Sequence, residues 1–375
     1  MIAPFKCEEK KLNRVTPMAI TALGMVCPVG HDVKTACASI RAGIKINADL
    51  PFEVFDTESF EMQPIAGFPI ENLFEGYQGV AILAKLAAKS LEDLMDYGSL
   101  SGQDELFWQQ TGLLLCYSAS RDEAADIVDE QIKDQLASLV VAQANFPIQH
   151  SSIGLLDQGN SGPLIALAKA QRHIQQRSLK RVIIVGIDSL VDEATVKQLA
   201  DCGRLKTPEA PQGLMPGEAS AAFMVEEANT AQQRSARIVG YVVGCDYQLG
   251  PSFLDEKPRY GHALSDAMVN AIIQNSAAHG ECVSTIYGDL NGEFARSMDW
   301  GNALVRLEAK LGYVPDQYLF PTEFIGDTGA ASSAVSICVA SRAFERHYSQ
   351  GNLQLVTAIS ENGSVAAALL AKKLL

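Results

Sequence analysis

Two short tetrads carry the residues with the clearest chemical potential. Gly159-Asn160-Ser161-Gly162 precedes the apolar run PLIALAKAQRHIQQ, and Gly326-Asp327-Thr328-Gly329 precedes AASSAVSICVASRAF. Both runs read as helices. A helix start presents unpaired N–H groups and a positive dipole end, so residues placed there can face an anion or a reacting group. Capping alone would also account for Asn, Ser, Asp and Thr at these positions. Ser161 is a nucleophile by type, but no histidine stands near it in sequence to act as its base. A third polar cluster, GDLNGEFARSMDWG (Gly288–Gly301), follows an apolar strand-like run. Its alternation sets Asp289, Asn291 and Glu293 along one edge, with Arg296 and Asp299 behind; a turn rich in Asp, Asn and Gly would read the same way. The spacing Asp-x-Asn-x-Glu lacks the rest of a calcium loop, so no metal is expected, and no cofactor either.

The elements that must position these residues occur twice. In each half a tetrad opens a helix-like run, and an apolar strand-like run follows, RVIIVGIDS in the first and LQLVTAIS in the second. Upstream, TGLLLCYS (Thr111–Ser118) answers STIYGDL (Ser284–Leu290), and MAITALGMV (Met18–Val26) answers ARIVGYVVGC (Ala236–Cys245). Four matches in one order indicate a duplicated unit, with halves over 1–232 and 233–375. Residues around 44–78 have no counterpart and read as an irregular insertion. The Met, Phe and Tyr residues of Phe52–Phe74 read as cover for the core or as lining near a pocket mouth. Near-continuous apolar strands alternating with helices predict an α/β chain whose mostly parallel sheets are covered on both faces.

Composition sets the outer limits. The 375 residues are 47% hydrophobic, enough for a large core, and no low-complexity linker divides them. The apolar runs are strand-sized, the first residues lack the apolar centre of a signal peptide, and the expected location is the cytoplasm without a membrane span. Eight scattered cysteines, with no CxxC, disfavour both disulfides and zinc. A net charge of −14 argues against a nucleic-acid surface, and Arg172, Arg177, Lys180 and Arg181 read as a solvated helix face.

Several stretches together resemble the β-ketoacyl synthases of the thiolase superfamily. They are ITALGMVCPVG with Gly24, Pro28 and Gly30; GRLKTPEAPQGLMPGEASAAFMVEE (Gly203–Glu227), with Gly217-Glu218 in a Gly-Glu-Gly place; IGDTGAASSA (Ile325–Ala334); and NGSVAAALL (Asn362–Leu370). The resemblance spans nearly the whole chain in order. It implies a thiolase-like fold in which two duplicated halves stack as α-β-α-β-α layers, usually as a dimer.

Carried over residue by residue, that family's nucleophilic cysteine corresponds to Asn160. The histidine of its Ile-Gly-His-Thr corresponds to Asp327, the lysine five residues earlier to Thr322, and the other histidine to Asp289. The gating segment before the closing strand corresponds to Ser360-Glu361-Asn362, and Gly217-Glu218 keeps a structural role. None of the histidines at 31, 150, 173, 262, 279 and 347 lies in these segments. Condensation through an acyl-enzyme needs a thiolate and neutral donors for an enolate and an oxyanion. An amide cannot be usefully acylated, and ionised Asp289 and Asp327 would repel the developing charge.

Three readings follow. The chain is a non-condensing binding or partner subunit, as in chain-length factors, where Gln replaces the nucleophile. Alternatively it is an acyl-thioester decarboxylase, hydrolase or acyltransferase using Asp289, Asn291 and Asp327. In the third it is a condensing synthase whose nucleophile is displaced, with Cys116 the candidate. The resemblance implies a homodimer or a heterodimer with a catalytic paralogue, and an acyl carrier protein or acyl thioester as partner.

Overall fold

The computed structural model describes residues 16–374 except 57–59, 74–75, 120–125, 150–151, 208–209, 254–258 and 275–280, and no side chains at 126–129 and 131. Cys7, Phe74, His150, His279 and the N-terminal segment considered above lie outside the described residues.

The first half runs β1 (Met18–Val26), α1 (Val33–Arg41), β2 (Ala48–Asp56), β3 (Glu61–Gly67), α2 (Val80–Tyr97), α3 (Glu105–Gln109), β4 (Thr111–Cys116), α4 (Asp126–Ala144), β5 (Ile153–Leu156), α5 (Gly162–Gln175), β6 (Arg181–Ser189), α6 (Glu193–Asp201), β7 (Glu218–Glu227) and α7 (Ala228–Gln233). The second half runs β8 (Gly240–Leu249), α8 (His262–Ile273), β9 (Thr285–Tyr287), α9 (Phe294–Leu311), β10 (Gln317–Leu319), α10 (Thr322–Ile325), α11 (Ser332–Glu345), β11 (Leu353–Ile359) and β12 (Ser364–Ala371).

Duplication is visible in the strand order. One sheet of ten strands reads β10-β9-β11-β12-β8-β1-β7-β6-β4-β5, so the outward order β8-β12-β11-β9-β10 repeats β1-β7-β6-β4-β5. Within each half four strands point one way, and only β7 or β12 is reversed between its neighbours. The halves join where Met18–Ile20 of β1 pairs antiparallel with Gly240–Val242 of β8.

Side-chain alternation along these strands sorts the core into layers. Val182 and Ile184 of β6 and Ala366, Ala368 and Leu370 of β12 face inward onto α5 and α11, which lie between the two half-sheets. Ile183, Val185 and Ile187 of β6 face outward onto α2 and α4. Val365, Ala367 and Leu369 of β12 face outward onto α8 and α9. The result is the layered α-β-α-β-α stack. Strands covered on both faces lose the polar alternation of a half-exposed sheet, which is why they read as continuous apolar runs.

Two expectations change. The segment read as irregular contains an antiparallel hairpin, β2–β3, whose Leu50 and Ile65 pack on Val196 and Leu199 of α6 and on Leu205 and Leu214. The proposed solvated basic face loses Arg181, which is buried, donates to Phe107 O at 2.8 Å and lies 3.7 Å from buried Glu226. Among the described residues no helix is long and apolar enough to cross a membrane.

Candidate functional site

The two tetrads meet at the centre of the molecule. A 3-10 turn, Gly159–Ser161, leads into α5, and another, Gly329–Ala331, leads into α11. Asn160 Nδ2 donates to Asp327 Oδ1 at 3.4 Å, and Ser333 Oγ donates to Asn160 O at 2.6 Å. Both residues are nearly out of solvent, at 5% and 4% exposure.

The tetrads are nevertheless not equivalent in structure. Gly159, the first residue of one, and Gly329, the last of the other, occupy the same place, each opening its 3-10 turn with positive φ (+56° and +47°). Matched by that geometry, Asn160 pairs with Ala330, and Asp327 lies ahead of its turn. Capping does not explain the motif either. Ser161 and Thr328 make no side-chain cap bond, and only Asp327 accepts a nearby amide, Gly329 N–H at 2.9 Å.

Asp327 also accepts from Asn291 Nδ2 at 2.6 Å, and that amide donates to Glu293 Oε2 at 2.8 Å. Arg204 completes the chain, holding Glu293 through Nε (2.7 Å) and Nη2 (3.0 Å) and Glu361 through Nη1 (2.5 Å). Burial would raise Glu293, but the Arg204 bonds and the nearby Arg296 charge outweigh it, so its carboxyl titrates below the ordinary range.

Asp289, two residues beyond β9, belongs to a different bond set. Its Oδ2 accepts from Arg296 Nη1 at 2.7 Å and from Ile359 N–H at 2.9 Å, with both side chains of the ion pair 1% exposed. Burial pushes its carboxyl up to about 6 despite the Arg296 charge. The sequence grouping of Asp289 with Asn291 and Asp327 is thus divided. Asn291 and Asp327 bond each other, while Asp289 anchors Arg296. Thr322 donates to Leu290 O and ties α10 to the loop after β9.

Ser161 is fully buried, its Oγ 2.7 Å from Ser360 Oγ, while Ser360 Oγ also accepts Ser161 N–H at 2.8 Å. Cys116, the displaced-nucleophile candidate, is buried at the end of β4 beneath Gly162, and burial drives its thiol far above the ordinary value. Glu218 ties segments together, accepting from Ile70 N–H (2.7 Å) and Ser189 Oγ (2.8 Å).

Asp188, not singled out from sequence, closes β6 and accepts Ala330 N–H at 2.9 Å beneath the α11 turn. Burial pushes it up to about 7, against hydrogen bonds from Ser118 and Ala330 N–H. Its signal was a carboxylate ending an otherwise apolar strand. Arg204 carried no comparable signal beyond its place in GRLK. Among the described residues no group of three or more His, Cys, Asp or Glu is arranged to hold a metal ion.

No family model matches the sequence, and no curated protein does. Solved structures match over nearly its full length. One is described as "AntDE:AntF (apo): type II PKS acyl-carrier protein in complex with its ketosynthase bound to the hexaketide" (TM-score 0.78, 14% identity, 95% of this chain and 99% of that one). Another is the ishigamide ketosynthase/chain length factor (TM-score 0.69, 21% identity, 95% and 99%). A third is a β-ketoacyl synthase from Burkholderia phymatum (TM-score 0.72, 13% identity, 96% and 100%). The chain therefore has the ketosynthase form of the thiolase-like fold, and at these identities the likeness defines the fold alone.

Proposed function

We propose that this chain is a non-condensing ketosynthase-fold subunit, acting by binding a partner or an acyl thioester rather than by forming carbon–carbon bonds. The observation that carries this is the Asn160–Asp327 contact. An amide stands where an acyl-accepting thiolate would be needed, bonded to a carboxylate where a neutral donor would be needed. The match to a ketosynthase/chain length factor supports the reading, as does the complex of another matched ketosynthase with its acyl-carrier protein. The proposed partners are a second copy or a catalytic paralogue, with an acyl carrier protein. Strand β5, at one edge of the sheet, is the surface proposed for dimerisation.

The two other readings have less support. Carboxylate-driven acyl chemistry would need Asp289, which is committed to Arg296 and the Ile359 amide. A displaced nucleophile would need Cys116, whose thiol is buried and held protonated.

The test is intact-protein mass spectrometry after incubation with acyl and malonyl thioesters, alongside a condensation assay. Neither adduct nor turnover is expected. A stable adduct at Cys116 or Ser161, or condensation by the wild type, overturns the proposal. Turnover without an adduct favours the carboxylate chemistry. Sedimentation showing only monomer at micromolar concentration, alone or mixed with a catalytic paralogue, removes the subunit role.

A further inference from the structure

The helix α8 starts at a cavity of about 170 Å³ walled by Pro251, Arg259, Tyr260, Gly261, His262 and Asp299. This twelve-residue helix has no side-chain cap. Gly261 stands at its N-cap with φ +67° and has no side chain to offer, so the first-turn amides gain no cap bond. The chain cannot supply a cap at this position, because a Cβ on Gly261 would lie 2.3 Å from Ala303 N of α9. Uncapped N–H groups and the positive end of the helix dipole therefore stand at the wall, to which His262 and Ala263 both contribute.

Arg259 gives a second, independent signal. Its side chain is 8% exposed, and its Nε–H has no hydrogen-bond partner among the described residues. The rest of the guanidinium is engaged. Its Nη1 donates to Pro251 O, its Nη2 donates to Asp299 Oδ2 at 2.9 Å, and one face lies on the Phe253 ring at 4.0 Å. Nε is thus the edge left over for a ligand in the cavity that Arg259 lines. A buried charged donor without an acceptor is costly, and a bound acceptor removes that cost.

The acceptors around the cavity are already in use. Asp299, the only acidic group among the described residues of the wall, takes Gly261 N–H on Oδ1 at 2.8 Å and Arg259 on Oδ2. Tyr260 O takes Arg306 Nε at 2.7 Å, and Gly261 O takes Ser265 N–H at 3.0 Å. Donors to spare and acceptors in use suit a ligand made of acceptor oxygens. Because Asp299 offsets the charge of Arg259, the attraction comes from the helix start and from directed hydrogen bonds.

The geometry points to an oxyanion site at the start of α8, in which a phosphate group accepts from Arg259 Nε–H and from the first-turn amides of His262 and Ala263. None of these residues belongs to the Asn160–Asp327 pair, and the site rests on no reading of the chemistry there.

Hydrogen exchange followed by peptide mass spectrometry tests it in the full chain, with sodium phosphate titrated against sodium chloride at constant ionic strength. Phosphate should slow exchange in the peptide spanning Gly261–Ser265 by about tenfold or more at saturation and raise the melting temperature; chloride should do neither. Arg259→Lys keeps a charge facing Asp299 but removes the Nε edge, and should weaken phosphate binding by about tenfold. Ala263→Asp places a carboxylate beside the uncapped amides and the positive helix end. It should keep or raise the melting temperature and abolish the phosphate response. The proposal is overturned if phosphate protects the start of α8 no more than chloride does, or if its effect survives both substitutions. Methyl phosphate separates the sources: tighter binding of the ester assigns the site to an esterified phosphate, and tighter binding of the free ion to inorganic phosphate. Because no thioester is used, failure here is distinct from failure of the acylation assay.

Discussion

Arg296 reaches from α9 to Asp289 in the loop after β9, donating at 2.7 Å in a pair whose side chains are both 1% exposed, and its Nη1 also donates to Ile359 O at 2.5 Å. Burial alone would lower Arg296, but the charges of Asp289, Asp327 and Glu293 raise it above its ordinary value. A fully buried guanidinium depends on its counter-ion, because an unpaired charge cannot regain hydration inside the fold. Asp289→Ala should therefore destabilise the chain by about 3–5 kcal/mol at pH 7.5, measured by urea unfolding. A loss below about 1 kcal/mol would mean that water or another group can solvate Arg296, and that Asp289 is free for chemistry after all.

Asp188 predicts a pH dependence. Its folded value, about 7, lies above the ordinary carboxylate value, so between roughly pH 4 and 7 the folded state binds more protons than the unfolded chain. Its contribution is therefore fully present below about pH 4 and is lost as pH rises through 7. Asp188→Asn removes the titration and leaves an acceptor for Ala330 N–H. The stability of wild type minus that of Asp188→Asn should fall with rising pH across this window, by at most about 1.4 kcal/mol per unit, and flatten above it. A difference that stays flat or climbs between pH 4 and 7 contradicts the assignment.

The paired glycines separate backbone strain from crowding. Gly159 and Gly329 both have positive φ, so alanine costs about 1–2 kcal/mol of left-handed strain at either. At Gly159 the added Cβ meets Ser360 Oγ at 3.4 Å, but at Gly329 it would lie 2.0 Å from Asp188 Oδ2. Asp188 would have to move and give up the Ala330 amide, adding about 1–3 kcal/mol. Gly329→Ala should thus be the more damaging substitution by thermal melting, and most of that excess should disappear in an Asp188→Ala background, where only the Cβ of residue 188 remains, at 3.1 Å.

Much of this arrangement is local and periodic, and for that reason legible in one chain. RVIIVGIDS and LQLVTAIS are buried on both faces, so burial imprinted them as unbroken apolar runs, and their repeat exposed the duplication. What stayed hidden was long-range or a matter of side-chain direction. Arg204 meets Glu361 across 157 residues, and no local pattern announces such a pair. The alternation of Asp289, Asn291 and Glu293 suggested one edge, but the loop after β9 turns Asp289 toward Arg296 and Asn291 toward Asp327. The two tetrads share residue types while standing three positions apart relative to their helices, an offset only the backbone reveals.

A thiol introduced at position 160 gives the last prediction. A thiol placed by Asn160→Cys would sit in the 3-10 turn before α5, where the helix dipole lowers a cysteine's pKa. Against that stands the Asp327 carboxylate, 3.4 Å from the present amide nitrogen. It is pinned by Gly329 N–H and by Asn291, so it cannot swing aside. A like charge at such range raises a thiol's pKa, and in a poorly solvated site the carboxylate should win over the dipole. The introduced thiol should therefore titrate above the ordinary cysteine value of about 8.5, and adding Asp327→Asn should bring it down by about 1–3 units. The pH profile of alkylation reads this directly, compared between Asn160→Cys with and without Asp327→Asn. Neither variant should condense acyl and malonyl thioesters, because Thr322, Asp289 and Asp327 or its amide supply no neutral imidazole donors for the enolate and the oxyanion. A thiol that is already reactive at pH 6 with Asp327 intact would show that the helix start, and not the carboxylate, governs this site.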